Sequence, residues 1–217
     1  MSEIRVRYST IEFDDTDIHV RTLRDKQQYS DNNNLAAKKG ISSANWPLFG
    51  VIWDSGKVLA HLMYEYDATG LRILEVGCGI ALASLVLNYR LMDITATDYH
   101  PEAESFLKKN VILNEGKDIP FVCTGWGDSD SGLGKFDLII GSDLLYERSH
   151  VILLAGFVEQ HATQSCDVLL VDPGRGHHAC FSKQMVRMGY SHSQKQTSKA
   201  DYLPETFRGQ ILQYHRD

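Results

Sequence analysis

From residue 71 onward the sequence alternates short apolar runs with helical patterns, and that rhythm limits the chain to one class of fold. Extended runs read at 71–76, 94–97, 119–123, 136–141 and 167–171. Between and after them, helical patterns begin at about 81, 101, 149 and 177, the last ending near 188. Strands alternating with helices build βαβ units, whose strands lie parallel and whose helices cover both faces of the sheet. The tail departs from this pattern. Residues 190–196 and 207–214 are extended with no helix between them, which suits an antiparallel hairpin at one sheet edge. The expected fold is α/β: a doubly wound, mostly parallel sheet with an antiparallel C-terminal strand.

Upstream, residues 1–24 carry a different period. Ile4, Val6 and Tyr8, then Ile11 and Phe13, then Ile18 and Val20 recur at alternate positions, with Asp14-Asp15 as the turn, which predicts an N-terminal β-hairpin extension. Residues 25–45 are polar around Asp31-Asn32-Asn33-Asn34 and read as a connecting loop that could close over a ligand. A helix follows over 55–66, capped by Asp54 or Ser55, with Val58, Leu59, Leu62 and Met63 on one face. The chain thus divides into an extension and loop, 1–45, and a main domain, 46–217.

With 217 residues, 43% of them hydrophobic, the chain buries one core. Its longest apolar stretches, 80–87 and 151–158, are too short for a bilayer, and Met1-Ser2-Glu3-Ile4-Arg5 lacks a signal pattern, so a cytoplasmic protein without membrane contact is expected. Cys78, Cys123, Cys166 and Cys180 are scattered and read as reduced thiols. His177-His178-x-Cys180 has no second ligand cluster at suitable spacing, so no metal is expected. A net charge of −6 argues against general nucleic-acid binding, and the basic stretches 21–26 and 183–199 read as solvated surface.

The chemistry concentrates where strand 71–76 runs through Glu75-Val76-Gly77-Cys78-Gly79 into a helix. Glycines let the backbone turn tightly and approach a ligand, and the helix start offers free N–H groups. A dinucleotide fingerprint needs a third glycine at position 82, where Leu82 stands. Glu75 places a carboxylate there, unwelcome beside a pyrophosphate but suited to the cationic amino-acid end of S-adenosylmethionine (SAM). Asp98, ending the next strand, is positioned to accept hydrogen bonds from ribose hydroxyls.

Together these residues resemble motif I of the seven-β-strand (class I) SAM-dependent methyltransferases, with Ala81 where many members have a third glycine. Asp98-Tyr99 and the long helix to Asn110 and Asn114 are similar to the next motif. The resemblance implies a Rossmann-like seven-stranded sheet that binds SAM and releases S-adenosyl-L-homocysteine, with Gly77, Gly79, Asp98 and Tyr99 at the cofactor.

Further segments resemble the protein-lysine methyltransferase branch. Val51-Ile52-Trp53-Asp54 is similar to its Trp-Asp segment, which implies that Trp53 lies near the cofactor; a core anchor is the competing reading. Thr124-Gly125-Trp126-Gly127 is similar to its Trp-Gly, which implies Trp126 against the adenine. Ser142-Asp143-Leu144-Leu145-Tyr146 is similar to its Asp-x-x-Tyr signature, which implies Ser142 close to the cofactor and Asp143 with Tyr146 beside the methyl and target nitrogen. For Asp143 a turn or cap role is the alternative. Asp172-Pro173-Gly174-Arg175 resembles a segment of the flavoprotein-directed members that could frame the substrate mouth. The expected activity is methylation of a lysine on a protein substrate; a small-molecule N-methyltransferase and a SAM-binding module without turnover are the alternatives.

Overall fold

A computed structural model describes residues 4–25, 29, 31, 34–128, 132–197 and 201–217; Asn32, Asn33 and Lys199, from stretches noted above, lie outside the described residues. The main sheet is built from β3 (Arg72–Val76), β4 (Asp93–Asp98), β5 (Phe121–Cys123), β6 (Phe136–Ser142), β7 (Ala162–Asp172), β8 (Ser191–Gln196) and β9 (Gln210–Arg216). They lie in the order β5-β4-β3-β6-β7-β9-β8. The strands β3 to β7 pair in parallel, β9 runs antiparallel beside β7, and β8 closes the edge antiparallel to β9. The expected α/β sheet with its C-terminal hairpin is therefore present, with β9 inserted between β7 and the edge.

Alternate residues of each central strand feed opposite faces. Ile73, Leu138, Ile140, Leu169 and Val171 pack under α2 (Asp54–Glu65), α3 (Leu82–Tyr89) and α4 (Ala103–Leu113) through Leu59, Met63, Leu85 and Phe106. Leu74, Ile139, Val168 and Leu170 pack on the other face against Leu154 and Phe157 of α5 (His150–His161) and Phe181 and Met185 of α6 (His178–Arg187). Each such side chain contributes about 1.5–3 kcal/mol by leaving water. Burial on both faces explains why these strands read as nearly unbroken apolar runs. No helix among the described residues is long and apolar enough to cross a membrane.

The first strands, β1 (Val6–Phe13) and β2 (Thr16–Leu23), form a separate two-stranded antiparallel sheet. Its apolar side, Phe13, Ile18, Val20 and Leu23, joins the core cluster under α2–α4. The edge of β2 is completed by side chains of α4. Asn110 accepts the Arg21 N–H at 2.7 Å, and Asn114 accepts the His19 N–H at 2.8 Å, while their amide groups donate to the carbonyls of Arg21 and His19. Four residues apart on one helix face, the two asparagines substitute for a third strand.

Two local expectations change. α2 begins one residue earlier than expected, with Trp53 at its N-cap and no side-chain cap bond, so neither Asp54 nor Ser55 caps it. Asp54 sits instead in the first turn, where its charge meets the positive end of the helix dipole. β7 starts at Ala162, five residues before the apolar run, because polar Thr163, Gln164 and Ser165 gave no hydrophobic signal and the pairing shifts register there.

Candidate active site

The parallel strands leave β3 in two directions, towards β4 on one side and β6 on the other, so their C-terminal ends open a crevice between them. Three residues after β3 take left-handed backbone: Gly77 at φ 61°, Gly79 at 54° and Ala81 at 61°. A Cβ on Gly77 would lie 2.7 Å from a methyl of Leu144, and one on Gly79 would lie 3.0 Å from the Phe49 carbonyl oxygen. Both glycines are thus required by conformation and by space. Ala81 bears the left-handed strain at the N-cap of α3.

Two carboxylates hold this turn from below and from the side. Glu75 is buried, and one of its oxygens accepts the Ser84 N–H at 2.9 Å together with the Ser84 hydroxyl. Glu75 therefore ties strand β3 to the first turn of α3. Burial pushes its carboxyl up to about 7, partly offset by Ser84, with the negative charge of Asp98 adding to the rise. Asp98 accepts the Gly79 N–H at 2.8 Å through one oxygen and the His100 N–H at 2.7 Å through the other. Each oxygen retains acceptor capacity for a further donor. Its carboxyl is also shifted upward, by burial, against the pull of those N–H groups.

The aromatic residues gather at the same edge. Trp53 donates its indole N–H to the Leu48 carbonyl at 3.1 Å, which fixes the ring at the start of α2. Gly56 brings that helix close to β6, since its Cβ would lie 3.6 Å from the Ser142 hydroxyl. Trp126 lies beside the turn, 3.7 Å from where a Gly77 Cβ would be, and meets His150 edge-on at 5.1 Å. Tyr146 contacts the same His150 at 4.4 Å. Burial, with Asp98, Glu147 and Asp143 nearby, raises its phenol to about 12. Tyr99 is half-exposed; its hydroxyl donates to the Lys39 carbonyl, and the Lys39 ammonium sits 5.0 Å over its ring.

Residues 34–50 lie across this edge. Asp31 accepts the N–H groups of Leu35 and Ala37 at 2.8 Å, capping the short helix α1 (Leu35–Lys38). Phe49 stacks on His100 at 3.9 Å. Burial lowers the His100 imidazole to about 4, so it stays neutral at pH 7. The described part of the polar 25–45 stretch is therefore folded against the site. Phe49 and His100 carry no signal in the sequence, because a lone aromatic and a lone histidine in loops have no periodicity.

Asp143 follows β6 with φ 52°, its N–H bonded to the Val171 carbonyl at 2.9 Å. That backbone turns its carboxylate into a cavity of about 500 Å³. The walls come from Trp53, Asp54 and Ser55 at the start of α2, Pro173 and Arg175 after β7, and residues 205–208 before β9. Arg175 grips Asp143 in a fork, Nε to Oδ1 at 2.9 Å and Nη2 to Oδ2 at 2.7 Å. The contribution of 205–208 has no signature in the sequence, since a Glu-Thr-Phe-Arg run carries no motif. Among the described residues no cluster of three metal-ligating side chains occurs.

The donor set fits SAM. Glu75 and Asp98 set two acidic groups at the crevice, which suits a cationic ligand and disfavours a pyrophosphate. The turn exposes backbone of two glycines, and Asp98 and Trp126 flank it.

Comparison with known proteins agrees. A family model described as lysine methyltransferase matches residues 31–184. Protein N-lysine methyltransferase METTL21A of Danio rerio is 32% identical over 154 residues, 66% of this chain and 70% of that protein. The solved ribosomal protein L11 methylase of Lactobacillus delbrueckii subsp. bulgaricus superposes with a TM-score of 0.61 at 20% identity, covering 76% of this chain and 80% of that one. Magnesium protoporphyrin IX methyltransferase of Synechocystis PCC 6803, solved with bound SAM, gives 0.58 at 19%, covering 74% and 77%. These two likenesses establish the shared fold.

Proposed function

The chain belongs to the lysine methyltransferase family, and on that premise we propose that it transfers the methyl group of SAM to a lysine side chain of a protein substrate. The observation that carries this reading is Asp143. Its carboxylate lines the cavity beside the cofactor crevice and already holds a cation, the Arg175 guanidinium, which marks it as a cation seat.

SAM, when bound, supplies an electrophilic methyl on a sulfonium and leaves as S-adenosyl-L-homocysteine. Gly77 and Gly79 admit its amino-acid end close to the backbone, Asp98 takes the ribose hydroxyls, and Trp126 covers the adenine. Trp53, Tyr99 and Ser142 complete the cofactor wall, and Glu75 supports the turn while lending negative charge to it. An acceptor lysine must first lose a proton, which from a pKa near 10.4 costs roughly 4 to 5 kcal/mol at pH 7. The Trp53 ring in the cavity wall helps to exclude water and lower that cost, and the half-exposed Tyr146 ring is placed to close over the lysine stem. Asp143 pulls the other way, so its role is to capture and orient the ammonium, with the proton leaving through water.

A cytoplasmic setting is supported by four free cysteines, and the charge of −6 leaves general nucleic-acid binding unsupported. The test is incubation with radiolabelled SAM and cell lysate. Label recovered as methyl-lysine in a protein band supports the proposal; label only in small molecules assigns a small-molecule acceptor. No label despite measured SAM binding leaves a binding module.

A further inference from the structure

Asp143 is not waiting empty. Both of its oxygens are taken by the Arg175 fork, at 2.9 and 2.7 Å, and an ammonium entering the cavity meets a carboxylate already neutralised. Each oxygen could accept one further bond, but a second cation set against the guanidinium is repelled by it, so a lysine gains the full attraction of Asp143 only as the guanidinium gives way. The local structure permits this. Arg175 is flanked by Gly174 and Gly176, at φ +99° and +88° with open space around each, and its side chain is 45% exposed at the mouth.

Displacement leaves a guanidinium without its counter-charge. Asp172 is a poor substitute partner, because its unpartnered Oδ1 is sealed from solvent, although its charge is felt at Arg175. It is buried, and one of its oxygens accepts the Gly174 N–H at 3.1 Å and lies 3.4 Å from the His178 ring. Arg208 lines the same cavity and has no ion pair among the described residues, so the mouth presents a second cation. Asp54 and Glu205 line it too, which makes the mouth mixed in charge rather than a basic patch.

We propose that the acceptor lysine carries a carboxylate side chain close to it on the substrate protein, and that Arg175 reads it. As the lysine ammonium takes Asp143, the Arg175 fork passes to the substrate carboxylate, so each charge keeps a partner throughout the exchange. Arg175 is then a specificity-determining residue: a lysine without an acidic neighbour leaves it only water and the carboxylates of Asp54 and Glu205, which line the same cavity but make no ion pair with it among the described residues. The mouth, mixed in charge, selects a lysine–acid pair, not an acidic protein in general. This inference rests on the lysine reading above.

The test uses lysate treated with the full-length enzyme and deuteromethyl SAM, followed by mass-spectrometric mapping of the modified residue. The mapped protein is then made recombinantly, as wild type and with the Asp or Glu side chains around that lysine changed to amides. The amide form is expected to lower kcat/KM roughly tenfold with wild-type enzyme, the scale of one hydrogen bond to a charged group. Arg175→Gln should treat the two substrates alike, and Arg175→Lys, which keeps the charge without the fork, should restore part of the discrimination. Equal losses with wild-type and Arg175→Gln enzymes, no loss with wild type, or a mapped lysine with no acidic neighbour overturns this role while lysine methylation stands. Deuterium on no lysine overturns the lysine reading, and this proposal with it.

Discussion

Ser84 reaches back from the first turn of α3 to Glu75 with both its N–H and its hydroxyl, so a buried carboxylate underpins the cofactor turn. Burial raises this carboxyl from 4.5 to about 7. Between those values the folded protein holds a proton that the unfolded chain releases, so stability falls as pH rises through that window. Glu75→Gln keeps an acceptor for Ser84 and removes the titration. Its thermal midpoint should therefore change less between pH 5 and pH 8 than that of the wild type. A cationic ligand near Glu75 draws the proton off, so the stabilisation by SAM should grow with pH in the wild type and stay level in Glu75→Gln. Parallel pH dependences in the two proteins would count against the assignment.

The glycine turn can be tested against a matched control. Gly77 and Gly70 both have positive φ, but a Cβ on Gly70 meets nothing within 4 Å, whereas one on Gly77 meets Leu144 at 2.7 Å. Gly70→Ala should cost only the left-handed penalty, about 1–2 kcal/mol. Gly77→Ala should cost more and weaken SAM, because Leu144 must move beside the crevice. Chemical denaturation gives the first quantity and calorimetric titration with SAM the second.

Asp98 and Asp143 should separate cofactor from acceptor. Asp98→Ala leaves the Gly79 and His100 N–H groups without their acceptor, so the free protein loses roughly 1–3 kcal/mol. It should also lose the SAM-dependent rise in melting temperature, which for wild type at a hundredfold excess over Kd corresponds to about 2.7 kcal/mol. Asp143→Ala removes an ion pair whose arginine is about half exposed and can turn to water, so stability should change by only about 1 kcal/mol. SAM stabilisation should persist there while methyl transfer is lost. Loss of both together in Asp143→Ala would move that residue to the cofactor.

Much of this arrangement was legible in the sequence because it follows from local rules. The strand, Gly77-Cys78-Gly79, and the helix after it form a contiguous segment whose glycines are needed for backbone reasons. The mostly parallel sheet and its antiparallel tail follow from the alternation and its exception at 190–214, and the count of seven strands from the family resemblance. What escaped depends on residues far apart in the chain. The Arg175 fork on Asp143 spans 32 positions, Ser84 on Glu75 uses a serine with no motif, and Phe49 on His100 joins two loops. Residues 205–208 reach the cavity only because β9 inserts beside β7. Periodicity and spacing do not encode such meetings.

Asn110 and Asn114 illustrate the same boundary and supply a last test. In the sequence they mark the end of a helix after Asp98; in the fold they hydrogen-bond the exposed edge of β2. Asn110 is fully buried, so Asn110→Ala strands the Arg21 N–H and carbonyl and should cost about 1–3 kcal/mol. Asn114→Ala should cost less, since its bonds to His19 lie in more exposed surroundings. Hydrogen exchange locates the effect: the Arg21 amide should lose protection in the first variant and the His19 amide in the second. The Cys78 amide, bonded to the Thr97 carbonyl inside the main sheet, should keep its protection in both. Uniform loss of protection at all three amides would mean that hairpin and main domain open as one cooperative unit, as the shared apolar cluster around Phe13, Ile18 and Phe106 also allows.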